Sequence, residues 1–158
     1  MTLREVAAAV GYSHATLYSF FADKAALLGR LAGEAGQELA DALAGQVAGG
    51  DARLALPRAA AAYLRWAVAH PHHYRLLMLE APPPAGAEAG AADAIYALLR
   101  SLLPQRPGAG DPELRAQTLW AALHGAVLLE IVPVPLGGAP WRDLEARIAA
   151  VVALATAA

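Results

Sequence analysis

Apolar residues recur at intervals of three and four along most of the chain, which is the spacing that places them on one face of an α-helix. The first such face carries Leu3, Val6, Ala7 and Val10. Thr2 precedes this face as an N-cap, and Glu5 completes a capping box with it. Gly11 suits the left-handed backbone past the end of a helix. The first predicted helix therefore lies between Thr2 and Gly11.

A second short helix follows this glycine corner, and a long third helix follows the second. Ser13 is placed to cap the second helix. The apolar face of that helix is predicted to carry Leu17, Phe20 and Phe21. Asp23 caps the third helix, which is predicted to run to Val47, just before a pair of glycines. Two short helices around a tight turn form the helix-turn-helix pattern, whose second helix enters the DNA major groove.

The rest of the chain alternates helical segments with loops rich in proline, glycine and alanine. The loops are 81–90, 104–110 and 133–140. Helices are predicted over 51–70, 72–80, 91–103 and 112–132, with a last helix opened by Pro140 or Trp141. Pro71 separates the first two of these because the residue before a proline is pushed out of the helical region.

Composition favours helix throughout the chain. Hydrophobic residues make up 58% of the sequence, aromatic residues only 6%, and the mean hydropathy is +0.39. Alanine is abundant and is the strongest helix former, while runs of β-branched residues are few. A chain of 158 residues is long enough to bury a core. The sequence therefore predicts an all-α fold in which most apolar residues are buried or self-associated.

Several classes of protein are disfavoured by the sequence. No apolar run approaches the roughly 20 residues that span a bilayer, and no basic segment precedes an apolar stretch as in a secretory signal. The chain has no cysteine, which excludes disulfides and fits a cytoplasmic location. No phosphate-binding glycine loop, nucleophilic triad or pair of catalytic carboxylates is present, so we expect no enzyme activity and no cofactor.

Histidines and net charge also bear on function. Three histidines, at 70, 72 and 73, flank the break at Pro71, and we expect their side chains to diverge into solvent and hold no metal. The net charge is −2, and the residues up to Leu31 contain three basic and two acidic side chains. Because non-specific DNA affinity comes largely from neutralised phosphates, this is a thin electrostatic footprint for a DNA-binding protein.

The stretch TLREVAAAVGYSHATLYSFFADK, residues 2–24, resembles the DNA-binding signature of the tetracycline-repressor-like (TetR) family of transcriptional regulators. The positions that match in one unbroken register are Thr2, Val6, Ala7, Val10, Gly11, Tyr12, Ser13, Thr16, Leu17, Tyr18, Phe21, Lys24 and Leu27. A plain helical hairpin would also explain the apolar faces. It would not explain why polar side chains from Ser13 to Lys24 gather on the opposite face.

The body of the chain resembles TetR-like ligand-binding domains. Residues 63–79 resemble a helix–proline–helix step of those domains, and residues 119–130 resemble a subgroup named for Trp, His and Gly, here Trp120, His124 and Gly125. The resemblance implies a DNA-binding head at residues 1–31 and an effector-binding and dimerisation body at 32–158. In the family a further helix precedes the position of Thr2, so we expect the chain that begins at Met1 to bind DNA poorly.

Three sets of functional residues are predicted: DNA contacts from the resemblance, an effector pocket from the aromatic and polar residues of the body, and a dimer interface from an apolar stripe on the last helix. DNA contacts fall on Thr2, Arg4, Ser13, His14, Ala15, Thr16, Tyr18, Ser19 and Lys24. Candidates for an effector pocket, each of which is equally at home in a core, are Tyr63, Trp66, Tyr74, Met78, Tyr96, Trp120 and His124. A homodimer is expected through the last two helices, at Ala122, Gly125, Leu144, Ile148, Val151 and Ala155. Ser19 and Phe20 depart from the polar residues common in the family.

Two functions remain open from the sequence. The first is a homodimeric repressor that binds a double-stranded DNA operator and is released by a small apolar effector, with no role at a membrane. The alternative is a helical dimerisation and ligand-binding module without DNA activity.

Overall fold

The computed structural model describes residues 2–48, 51–80, 90–105, 110–132 and 143–156. The helices of these ranges are α1 (Leu3–Ala9), α2 (His14–Phe20), α3 (Lys24–Val47), α4 (Ala55–Ala69), α5 (Pro71–Arg75), α6 (Ala91–Ser101), α7 (Pro112–Ile131) and α8 (Leu144–Thr156). A 3₁₀ turn, Ala52–Leu54, leads into α4, and a π-helical turn, Leu76–Glu80, continues α5. No strand occurs in the described ranges, which confirms the predicted all-α fold.

Side-chain caps set the helix starts in the head. Thr2 and Glu5 form the predicted capping box, in which the Thr2 N–H donates to Glu5 Oε2 over 2.6 Å. Ser13 Oγ accepts from the Thr16 N–H over 3.1 Å, which caps α2. Asp23 Oδ1 accepts from the N–H of residue 26 over 2.8 Å at the start of α3. These bonds satisfy backbone donors that a helix start leaves without intrahelical partners.

The core of the head is small. Leu3, Ala7 and Leu17 are buried, with Val6, Phe21 and Leu27 packed around them. Two side chains that we predicted for the apolar faces lie in solvent instead, since Val10 is 57% and Phe20 is 74% exposed. In a seven-residue helix such as α2, two turns present too few positions to bury more than one stripe.

The body is organised around α4, which packs against α3, α7 and α8. Its most buried side chains include Leu56, Tyr63, Leu64 and Ala67. The predicted break at Pro71 is confirmed, because α4 ends at Ala69 and Pro71 takes the first position of α5. The predicted start of α8 at Pro140 or Trp141 lies outside the described residues. No helix in the described ranges has both the length and the apolarity to cross a bilayer.

Helices α3 and α6 approach each other closely at Gly36. A Cβ atom built on Gly36 would overlap the Cβ of Ala91, the first residue of α6, and would lie 3.3 Å from Leu77 Cδ1 in the π-helical turn. Only glycine therefore fits this contact as it stands. The contact joins the long third helix to two elements of the body.

We expect Gly36→Ala to lower the free energy of unfolding by about 1–3 kcal/mol, because the added methyl group must push α3 and α6 apart. Gly33→Ala is the matched control on the same helix, since nothing lies within 4 Å of its new methyl group. That control is expected to gain up to about 1 kcal/mol from helix propensity. Urea denaturation measures both variants, and similar stabilities would contradict the close approach at Gly36.

Candidate DNA-contact face and effector cleft

The predicted DNA-contact residues lie on α2 and its flanks. Thr16 is half-buried, and the exposed members are Thr2, Arg4, Ser13, His14, Ala15, Tyr18, Ser19 and Lys24. The Ser13 and Thr16 hydroxyl groups are 2.7 Å apart, and Ser19 Oγ donates to the Thr16 carbonyl over 2.7 Å. These three hydroxyl groups are therefore engaged locally. The His14 and Tyr18 rings meet edge to face, with centroids 4.6 Å apart, and stand out from the helix.

The cations of the head are few. Arg30 pairs with Glu34 on the same face of α3, Nε to Oε1 over 2.7 Å. Arg4 and Lys24 form no ion pair within the described ranges. The pKa of the Glu5 carboxyl is lowered, first by the backbone N–H of Thr2 and last by the charge of Lys24. Arg4 and Lys24 are thus the cations of residues 2–31 that form no ion pair there.

A cleft of about 420 Å³ opens between the π-helical turn, α6 and α7. It is lined by Leu77, Met78, Ala92, Asp93, Tyr96, Trp120 and His124. Four of these residues, Met78, Tyr96, Trp120 and His124, are predicted effector candidates, and the fold brings them together. Leu77, Ala92 and Asp93 were not predicted. Only Asp93 left a signal in the sequence, because it stands three residues after Gly90 and caps α6 by accepting from the Gly90 N–H over 2.8 Å.

Tyr63 and Tyr74 stand behind the cleft and not in its wall. Both side chains are fully buried, and their hydroxyl oxygens are 2.7 Å apart. The Tyr74 hydroxyl is also 2.6 Å from His124 Nδ1. Burial raises the pKa of Tyr74 to about 12 and raises that of Tyr63 as well, so both phenols stay neutral. The two tyrosines therefore position His124 from behind.

Trp66 lies apart from the cleft, contrary to the prediction. Its ring packs against His70 and His73, with centroid distances of 5.1 and 6.5 Å. The His70 and His73 rings are themselves stacked 5.9 Å apart, so they do not diverge as expected, although His70, His72 and His73 are all exposed to solvent as expected. After the break at Pro71, α5 brings His73 against Trp66. In the described ranges no three potential metal ligands converge.

Tyr96 is held at the rim of the cleft by an acidic partner. Its hydroxyl donates to Glu113 Oε1 over 2.6 Å, while Arg100 Nε donates to Glu113 Oε2 over 2.7 Å. The Tyr96 hydroxyl is the main cause of the lowered pKa of Glu113, and the carboxylate in turn raises the pKa of Tyr96. The Tyr96 ring meets Trp120 edge-on, with centroids 5.8 Å apart. The aromatic wall is thereby fixed in orientation.

An apolar groove of about 280 Å³ runs between α7 and α8. Its lining includes the predicted dimer residues Ala122, Val151 and Ala155, beside Leu114 and Leu154, which are 61% and 79% exposed. Gly125 is half-buried with open space beyond it. One predicted contact needs correction, because Ile148 is 3% exposed in the core of its own chain. Leu144, Val151 and Ala155 are half-buried against the same core. The stripe on α8 that we assigned to a partner is thus partly covered by α4 and α7.

Comparisons with known proteins agree with this architecture. Residues 56–155 match the family described as "Tetracyclin repressor-like, C-terminal domain", and residues 1–31 match "Bacterial regulatory proteins, tetR family". The fold is similar to the crystal structure of the TetR family transcriptional regulator PfmR from Thermus thermophilus. That likeness has a TM-score of 0.68 and 18% identity, and it covers 98% of this chain and 87% of that chain. No curated protein sequence matches the chain.

A helix-turn-helix head joined to an all-α body defines a class of DNA-binding transcriptional regulators. The chain belongs to the TetR family of regulators, as both parts of the sequence match that family. The family consists of DNA-binding transcriptional regulators and not of enzymes, in agreement with the prediction from the sequence. Regulators of this family bind DNA operators, usually as dimers that respond to small molecules.

The ionisation of His124 offers a test of its surroundings. Burial lowers the pKa of His124 from its ordinary value of 6.5, so the folded state favours the neutral ring. Above pH 6.5 the ring is neutral in both the folded and the unfolded state, and the contribution of His124 to the free energy of unfolding is fully present. That contribution is lost as the pH falls through the lower pKa of the folded state, because the buried ring must then take up a proton. Urea denaturation should therefore show a larger loss of stability between about pH 7 and about pH 5 in the wild type than in His124→Gln. His72→Gln, at an exposed site, should keep the wild-type loss, and equal losses in all three proteins would contradict the burial of His124.

Proposed function

We propose that this chain is a ligand-responsive repressor that releases its operator when a small apolar effector enters the cleft. The observation that carries the proposal is that the π-helical turn and the start of α6 border both the cleft and helix α3. Leu77 lines the cleft and also touches the Gly36 position of α3, and Ala92 of the cleft follows Ala91, which meets Gly36 directly. The same elements therefore border the ligand space and clamp the helix that leads to the DNA-contact face.

This arrangement supplies a mechanical link between the two sites. Helix α3 begins at Lys24 beside α2, and Gly36 lies about 18 Å along it at 1.5 Å per residue. A ligand that shifts the π-helical turn or the start of α6 must shift α3 as well, because no free space exists at Gly36. An effector then favours one position of the head over another only if it binds that state more tightly.

We propose further that the functional unit is a homodimer formed through α7 and α8. The exposed side of these helices presents Leu114, Leu129, Val132 and Leu154. Small side chains at Ala121, Ala122 and Gly125 would let a second pair of helices approach closely. In such a dimer the two α2 helices would enter successive major grooves about 34–36 Å apart.

A second candidate is a ligand-binding and dimerisation module without DNA activity. The feature that favours it is the head itself, whose buried core consists of three side chains in the described ranges, while Tyr12 and Phe20 are 62% and 74% exposed. The cations Arg4 and Lys24 also give little attraction to phosphate. A direct test of DNA binding separates the two functions.

For the dimeric regulator, Lys24→Gln should weaken binding to DNA from the region upstream of its gene and lower the salt dependence of log affinity by about two units per dimer, because each head loses one phosphate contact. Tyr18→Phe, which removes one hydroxyl group, should weaken binding with no change in that slope. Arg58→Gln on α4 is the control, since it removes the same charge from an exposed site in the body. Fluorescence anisotropy at several salt concentrations measures all three.

Two results would contradict this assignment. If Arg58→Gln lowers affinity as much as Lys24→Gln, the contact with DNA is not made by the head. If the wild type binds no DNA even at low salt, the module without DNA activity is the better description.

For the dimer, sedimentation equilibrium should give twice the chain mass of 16.3 kDa. Leu154→Glu should shift the protein to the monomer mass, because a carboxylate would be buried in the apolar groove on association. Leu54→Glu, at a leucine that is 45% exposed near α4, should leave the dimer intact. We choose Leu154 and not Ile148, because Ile148 is buried in the core of its own chain and its replacement by glutamate would unfold the protein. A monomer in the wild type would overturn the proposal.

A further inference from the structure

Three side chains from three helices form one hydrogen-bonded chain that ends at the cleft. Tyr63 on α4 meets Tyr74 on α5 over 2.7 Å, and Tyr74 meets Nδ1 of His124 on α7 over 2.6 Å. The His124 ring lines the cleft, where its Nε2 has no hydrogen-bond partner among the described residues. The direction in which the protons point along this chain decides what Nε2 offers to a ligand.

The buried end of the chain fixes that direction. The Tyr63 hydroxyl is fully buried, and the Tyr74 hydroxyl is its one hydrogen-bond partner in the described part of the protein. If Tyr63 donates to Tyr74, then Tyr74 donates to His124 Nδ1 and every hydroxyl proton has an acceptor. If the chain runs the other way, the proton of Tyr63 has no acceptor in an apolar core. A buried donor without an acceptor is strongly disfavoured, so the first direction prevails.

This direction sets the tautomer of His124. Because Nδ1 accepts from Tyr74, it carries no proton, and the single proton of the neutral ring lies on Nε2. A doubly protonated ring would have to donate from Nδ1 to the Tyr74 oxygen, which would leave the hydroxyl proton of either Tyr63 or Tyr74 without an acceptor. Burial also lowers the pKa of His124, which likewise favours the neutral ring. Into the cleft the protein therefore presents one N–H donor on a neutral ring.

The remaining wall of the cleft is apolar or acidic. The described lining contains no lysine or arginine, and its one charged group is the Asp93 carboxylate at the start of α6. Other ionisable groups near His124 are the neutral phenols of Tyr63, Tyr74 and Tyr96. Trp120 lies nearly parallel to the His124 ring, with centroids 6.5 Å apart and planes at 16°. An anionic ligand would meet a carboxylate with no compensating cation, whereas a flat apolar ligand would find an aromatic surface.

We propose that the cleft selects an uncharged apolar ligand that carries a hydrogen-bond acceptor, such as an aryl ketone or ester, and that the Nε2–H of His124 donates to its carbonyl oxygen. This inference rests on the proposed effector cleft and names the chemical class of its ligand. A site built around a hydrogen bond discriminates against an analogue that lacks the group, because such an analogue would shield the donor from water and leave it unpaired.

Three matched probes test the selection: acetophenone with a carbonyl, ethylbenzene without one, and benzoate with a negative charge. Tryptophan fluorescence titration at neutral pH should give acetophenone a Kd about three- to tenfold lower than that of ethylbenzene, the effect of one hydrogen bond. Benzoate should bind most weakly. His124→Phe keeps the ring but removes the donor, and it should make the affinities for acetophenone and ethylbenzene equal. His73→Phe, outside the cleft, should keep the wild-type preference.

An NMR measurement tests the tautomer without any ligand. Long-range proton–nitrogen spectra should show His124 protonated at Nε2 and not at Nδ1 in the wild type. The double variant Tyr63→Phe/Tyr74→Phe removes both hydroxyl groups, so neither is left without a partner. In this variant Nδ1 no longer accepts a hydrogen bond from Tyr74, and the spectra should show the proton of His124 shared between Nδ1 and Nε2. Its thermal melting, compared with that of the wild type, shows whether the variant remains folded.

The results distinguish failure of the ligand class from failure of the proposed effector site. Probe binding without a preference for acetophenone, or a proton on Nδ1, would overturn the ligand class while leaving a body that binds small molecules. If no probe changes the fluorescence although His124 is protonated at Nε2, the cleft is not the effector site, and both the proposed site and the ligand class fail.

Discussion

A tyrosine hydroxyl buried in an alanine and leucine core must find a hydrogen-bond partner, and that need organises the body of this protein. Tyr63 lies on the central helix α4, and its one partner in the described ranges is Tyr74. The two tyrosines lie on either side of the break at Pro71, which ends α4 and starts α5. The pair then reaches His124 on α7. One hydrogen-bonded chain thus fixes the relative placement of three helices and the orientation of the ring that faces the cleft.

The π-helical turn that follows α5 connects the cleft to the long helix α3. The π-helical turn after α5 carries Leu77 and Met78 to the cleft, and Leu77 also meets α3 at Gly36. A π turn adds a residue to the helical repeat and is often found at functional sites, since it re-aims side chains without ending the helix. The contact at Gly36 leaves no free space between α3 and α6 at that position. If the cleft binds an effector as proposed, a change in its shape therefore reaches α3 through this contact.

Local signals in the sequence predicted much of this fold. The caps at Thr2, Ser13 and Asp23 and the break at Pro71 depend on neighbouring residues, so they can be predicted without knowing the tertiary structure. Periodicity shows which side of a helix is apolar but not what covers it. It therefore could not show that Phe20 faces solvent, that Ile148 lies in the core of its own chain, or that Trp66 packs on histidines. Leu77 was missed because a π turn shifts side chains off the spacing of an α-helix.

The proposed dimer and the proposed DNA binding depend on each other through charge. Each head presents Arg4 and Lys24 as cations without an ion pair in the described ranges, and the attraction to phosphate grows with the number of cations that bind together. Two heads held on one dimer double that number, and the second head then binds at the high effective concentration set by the first. A single head gains neither effect. If both proposals hold, a variant that is monomeric but has an intact α2 must lose most of its DNA affinity, and an operator with one half-site must bind far more weakly than one with two.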